Sequence, residues 1–230
     1  MLKCLFAGIA IAVMLAGVAV AGPFEDGVAA YQHGDYETAL RLFGTLAERG
    51  EAEAQYNLAL MYDNGQGVPQ DFTEAAKWYR RAAEQGHASA QFNLGLMYDE
   101  GRGVPRDFTE AAKWYLPAAE QGDAQAQYNL ALMYDDGRGV PQDFTEAAKW
   151  FRRAAEQGNA QAQFFFGLMY DEGRGVPQES ISAFVWLDLA ASSGIEDAAD
   201  QRDRVAASMT RDQLAEAQRL VREWKPSPSQ

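Results

Sequence analysis

The sequence predicts an all-α fold, a solenoid of stacked helix hairpins with about twelve helices in one continuous array. Three observations predict it. A 36-residue unit recurs from Gly67: copies starting at Gly67, Gly103 and Gly139 share 28 of 36 positions between the first and second and 31 of 36 between the first and third. Each copy holds two apolar patterns with helical rather than strand period. An Asp before one pattern and a Gly after it mark where that helix begins and ends.

Residues 1–21 stand apart from this pattern. Lys3 gives a basic start, Leu5 to Val18 is an apolar or small-residue run, and Ala19-Val20-Ala21 supplies small residues before Gly22. That layout is a secretory signal peptide with cleavage before Gly22. The competing reading is a membrane anchor, but Cys4 to Gly22 barely reaches the ~20 residues a span needs. The expected location is therefore periplasmic or secreted, with no membrane association after cleavage. The one cysteine, Cys4, leaves with the signal, so packing alone must hold the mature chain together.

The formal net charge is −13. An acidic surface repels phosphate backbones, so nucleic acid is excluded as a partner. It favours basic or neutral partners and keeps an exported monomer in solution.

Within the first full copy, one helix opens at Asp71, with Glu74 three residues on; Asp107/Glu110 and Asp143/Glu146 repeat the pair. The Asp can accept from the free N–H groups of the first turn, and the Glu is expected to reach back to the cap. Phe72, Ala75, Ala76, Tyr79, Ala82 and Ala83 form one stripe that demands burial. Gly86, Gly122 and Gly158 close these helices. A second helix runs from about Ala88 to Glu100 and is apolar over most of its circumference, so it must lie between neighbours. Ala59, Gly95, Ala131 and Gly167 recur at one position, always small, as a close helix approach requires. Gly65-x-Gly67 and its equivalents form the tight loop to the next Asp cap.

The recurring string A-x-A-Q-x-x-L-G/A-x-x-Y-D-x-G-x-G-V-P-x-D-x-x-x-A-A-x-W-Y/F-x-x-A-A-x-x-G resembles the Sel1-like repeat, which is similar to the tetratricopeptide repeat. The resemblance covers roughly residues 24–194. It implies a right-handed solenoid: a tetratricopeptide-like hairpin at 22–50, four Sel1-like repeats at 51–194, capping helices at 195–224 and a loose tail at 225–230. Thr210-Arg211-Asp212-Gln213 reads as a capping box that opens the last helix.

Catalytic chemistry is not visible. His33 and His87 are not at ligand spacing, there is no Cys/His cluster, and no S-x-x-K, G-x-S-x-G or phosphate-loop pattern occurs. The Asp-x-Gly-x-Gly loops hold too few oxygen ligands for calcium. No cofactor, metal site or catalytic residue is therefore expected. Some exported members of the resembled family are linked to β-lactam binding or hydrolysis. Those carry repeated cysteines that the mature chain lacks, which disfavours the reading of an exported β-lactam-binding or -hydrolysing enzyme.

The resemblance instead implies a non-catalytic scaffold whose concave groove holds a partner protein or an extended peptide. Carried onto this chain, the groove rows are Tyr56, Phe92, Tyr128 and Phe164; Asn57, Asn93 and Asn129; and Asp63, Asp99, Asp135 and Asp171. Phe165 replaces the last Asn. Such rows suit a ligand with apolar and basic side chains, because aromatics offer flat area, amides pair with backbone and carboxylates attract cations. Burial of the aromatic row as core is equally compatible with its periodicity.

Overall fold

The computed structural model describes residues 22–227; the signal segment expected over 1–21 lies outside it. Twelve helices and no strand are present among the described residues. They are α1 (Pro23–Gln32), α2 (Tyr36–Glu48), α3 (Ala52–Asn64), α4 (Phe72–Glu84), α5 (Ala88–Glu100), α6 (Phe108–Glu120), α7 (Ala124–Asp136), α8 (Phe144–Glu156), α9 (Ala160–Glu172), α10 (Ser180–Ser192), α11 (Ala198–Ser208) and α12 (Arg211–Glu223). Each helix packs on its neighbours in sequence from α1 to α11, and α12 folds back against α10. The array is thus an all-α solenoid of helix hairpins.

The caps explain where the even-numbered helices start. Asp71 Oδ1 accepts from the N–H groups of Thr73 and Glu74 at 2.9 and 3.0 Å, and Asp107 and Asp143 repeat this. The expected return of the Glu to the cap does not occur. The Asp71 N–H already donates to the Tyr62 carbonyl at 3.0 Å. Glu74 turns outward and pairs with Lys77, as Glu110 does with Lys113 and Glu146 with Lys149. Among the described residues the full reciprocal box forms once, between Thr210 and Gln213. The odd-numbered repeat helices take a different cap at each copy: His87 Nδ1, Asp123 and Asn159 accept from Ala90, Ala126 and Ala162.

The Ala-rich stripe is the core. Ala75, Ala76, Tyr79, Ala82 and Ala83 are buried, and the other copies follow the same plan. The recurrent small position faces the large residue of the next helix. A Cβ on Gly95 would lie 2.7 Å from the Tyr115 ring, and one on Gly167 would lie 2.8 Å from Leu187 Cγ. Trp78 and Trp150 are buried beneath Arg81 and Arg153, whose guanidinium carbons stand 4.4 and 4.8 Å from the indole centres. In α6 Pro117 stands in the place of Arg81 and Arg153, and Leu116 in that of Arg80 and Arg152. The helix nevertheless runs unbroken to Glu120, Trp114 is only half-buried, and Leu116 is exposed.

Two further contacts set the stacking. Gly103 turns on a positive φ (+67°) directly over α4, where a Cβ would lie 2.1 Å from the Phe72 carbonyl oxygen; Gly139 and Gly175 stand equally close to Phe108 and Phe144. Only glycine lets the backbones approach so far. At the opposite end of the helices, where each even-numbered helix turns into the next, runs a ladder of buried amides. Gln55, Gln91, Gln127 and Gln163 donate to the carbonyls of Ala47, Ala83, Ala119 and Ala155 in the preceding helix. Gln85, Gln121 and Gln157 donate in turn to Oε1 of the first three. At the fourth step Ser193 stands in the donor's place, and Gln163 Oε1 is buried without a partner among the described residues.

Candidate functional site

The rows expected to line a groove sit on α3, α5, α7 and α9. Residues four and seven positions apart share a helix face, so Tyr56, Leu60 and Asp63 form one column, and their equivalents form three more. The structure places Tyr56, Asn57, Phe92, Asn93, Asp99, Tyr128, Asn129, Phe164 and Phe165 at intermediate depth. Asp135 is buried, with 9% of its surface exposed. The aromatics are therefore neither free surface nor full core. One side of Tyr56 meets Tyr79 with ring centres 5.9 Å apart; Phe92 meets Tyr115 at 5.9 Å, and Tyr128 meets Phe151 at 6.0 Å. Tyr56 also stacks on His87 at 4.5 Å, which fixes the start of the next helix against it.

The amides differ along the row. Asn57 spends its N–H₂ on the Glu53 carbonyl of its own helix, at 2.8 Å. Asn93 lies beside the hydroxyls of Tyr56 and Tyr79, and Asn129 beside that of Tyr115. Burial pushes the Tyr79 and Tyr115 hydroxyls far above the ordinary phenol range, and the neighbouring Asp63 and Asp99 carboxylates push the same way. Both tyrosines are therefore neutral.

The aspartates end each column. Asp63 Oδ2 accepts from the Tyr79 hydroxyl at 3.3 Å. Asp99 and Asp135 face arginines from the loop 39 residues on, Arg138 at 3.9 Å and Arg174 at 3.5 Å. Those arginines also cover Phe108 and Phe144 of the previous unit. The carboxylates thus join neighbouring units as well as facing outward. Even so, one oxygen of each (Oδ1 of Asp63, Asp99 and Asp135) and the Tyr115 hydroxyl are buried with no hydrogen-bond partner among the described residues. Burial raises the Asp135 pKa, and Arg174 opposes the rise.

In the last column Phe165 stacks face to face on Phe151, with centres 5.4 Å apart and planes at 8°, while Phe164 meets Phe165 edge-on. Phe166, next to them, is core rather than groove: it is 2% exposed and packs against Trp186. Sequence reasoning missed the capping and stacking role of His87, the amide ladder and the Arg102/Arg138/Arg174 row. The ladder was signalled by the invariable Gln of A-x-A-Q and the Gln before each closing Gly. Among the described residues no group of three or more His, Cys, Asp or Glu is arranged to hold a metal ion. No helix among them is long and apolar enough to cross a membrane.

Comparison with known proteins follows the same periodicity. The Sel1 repeat model matches residues 52–87, 88–123, 124–159 and 160–195. The crystal structure of a Sel1 repeat protein from Oxalobacter formigenes is similar at 33% identity and a TM-score of 0.76, covering 88% of this chain and 85% of that one. The crystal structure of a protective antigen present in uropathogenic Escherichia coli strains, displaying an SLR fold, is similar at 33% identity and a TM-score of 0.76. The alignment covers 87% of this chain and 45% of the antigen. No curated protein matches the chain.

Proposed function

The chain belongs to the Sel1 repeat family, and from that premise we propose that it is a non-catalytic interaction scaffold which holds an extended segment of a partner protein along α3, α5, α7 and α9. One observation carries the reading. At 36-residue intervals a half-buried aromatic stands at one end of a column and an aspartate at the other, and Asp63, Asp99 and Asp135 each keep one buried oxygen without a hydrogen bond. The aromatics supply apolar area, Asn93 and Asn129 can pair with an extended backbone, and the aspartates favour Lys or Arg side chains. The Phe164–Phe165 end suits an apolar anchor.

The segment 1–21 supports export, so the partner is sought in the periplasm or outside the cell, with the scaffold acting as a monomer. Intact mass of protein recovered from its host gives the mature start; a mass retaining residues 1–21 would replace export with anchoring. A pull-down from the envelope fraction supplies the partner. Calorimetry then compares the parent with Asn93→Ala/Asn129→Ala and with Phe164→Ala/Phe165→Ala. Each pair should weaken binding at least about tenfold, the effect of ~1.4 kcal/mol, while circular dichroism stays unchanged. Folded variants that bind like the parent would dispose of the groove.

A further inference from the structure

The solenoid has a second surface, the edge where each even-numbered helix turns into the next odd-numbered one. A helix leaves its last carbonyls without partners. At the end of α8 the turn itself takes the carbonyls of Ala154 and Ala155 through Asn159, Gln157 and Gly158. The Glu156 carbonyl is satisfied by a residue from far along the chain, the Ser227 N–H at 2.7 Å. The segment that brings Ser227 there leaves α12 at Trp224 in an extended conformation (φ −63°, ψ 141°). It then crosses Gly158, where a Cβ would meet Pro226 at 3.7 Å and Trp224 at 3.9 Å. Trp224 is itself held edge-on to Trp186, 6.5 Å away. Pro226 has a fixed φ and no N–H left to satisfy, so the segment reaches the edge already extended.

Beyond Ser227 the edge continues as a cleft of about 280 Å³ between the α8 and α6 turns, floored by Gln127 and Gln157 and bounded by Gly122 and Arg153. The same features recur upstream. Glu48, Glu84 and Glu120 end their helices as Glu156 does, and no described backbone N–H reaches their carbonyls. Gly50 and Gly86 have nothing within 4 Å of an added Cβ.

We infer that this turn edge is a binding track for an extended, proline-containing peptide, and that the chain's own Trp-Lys-Pro-Ser segment occupies its last step as a built-in ligand. The track is separate from the groove face of α3, α5, α7 and α9, and a partner segment of the same kind gains access by displacing Pro226 and Ser227.

Amide NMR titration tests this with the hexapeptide of residues 225–230, Lys-Pro-Ser-Pro-Ser-Gln, on the full chain and on a chain lacking residues 226–230. The cut lies beyond α12 and keeps Trp224, and the spectra themselves report the fold. In the shortened chain the peptide should shift the amides of Gly122, Gln157 and Gly158 saturably at millimolar concentration. The full chain should need at least about fivefold more peptide, because a tethered segment competes at millimolar effective concentration. A peptide with Pro in place of its first Ser lacks the N–H given to Glu156 and should bind at least about threefold more weakly. Absence of shifts at those amides in the shortened chain, shifts confined to Asn93 and Asn129, equal titration of both chains, or equal binding of the two peptides would each overturn the track.

Discussion

Gln157 donates its side-chain N–H to Gln127 Oε1 at 2.8 Å, and Gln127 donates its own to the Ala119 carbonyl at 2.9 Å. Three helices, α6, α7 and α8, are joined by that one line of amides. The line stops at Gln163, whose Oε1 has no partner because Ser193 bonds to Leu189 within α10. Ser193→Gln should complete the fourth step and raise stability by ~0.5–1.5 kcal/mol, whereas Gln127→Leu should lower it by ~1–3 kcal/mol by leaving its partners unpaired. Urea midpoints at unchanged slope measure both.

Glycine substitutions should separate local strain from contact between units. Gly86 and Gly103 both hold a positive φ, but a Cβ on Gly86 meets nothing while one on Gly103 strikes the Phe72 carbonyl. Gly86→Ala should cost ~1–2 kcal/mol from conformation alone. Gly103→Ala should cost more by ~1–3 kcal/mol, the usual penalty of overpacking. Equal melting temperatures for the two variants would contradict the close approach.

The double variant Leu116→Arg/Pro117→Arg restores the sequence of the neighbouring copies. It removes a proline that costs ~3 kcal/mol inside a helix and places a guanidinium over Trp114, as Arg81 lies over Trp78. The melting temperature should rise and Trp114 fluorescence should change. A lower melting temperature would mean that the α6 packing is built around Pro117.

Asp135 should give stability a pH dependence of known sign. Its folded-state pKa is raised above 3.8 by burial, so the folded protein holds that proton more tightly than the unfolded chain. Ionisation then subtracts stability. The loss is absent well below 3.8 and grows as pH rises through the raised value. The stability of Asp135→Asn relative to the parent should therefore be greater at pH 7 than at pH 3, in paired urea titrations. An unchanged difference would show that Arg174 cancels the burial.

The helix pattern was legible because caps and stripes act locally. Asp71, Gly86 and the Ala-rich stripe carry their meaning within four residues of themselves, and each lies where its chemistry demands. Glu74 was misread because a backbone carbonyl nine residues before the cap, that of Tyr62, had already taken the N–H the Glu would have accepted. The pairing of Gln55 with Gln85 left no local signal, because the two are 30 residues apart and in different helices. The depth of Tyr56 and Phe92 could not be read from periodicity, since a ring with one side on the core and one side open repeats at the same interval as either extreme.

The approach of Gly103 to Phe72, repeated at Gly139 and Gly175, acts as a gauge block between units. Spacing in this stack is set by backbone against backbone, with no flexible side chain between to take up slack. An inserted 36-residue copy should therefore inherit the same pitch, and a segment spread across several units would meet its contacts at a fixed interval. Growth of such an array by duplication changes the length of the surface without changing its scale.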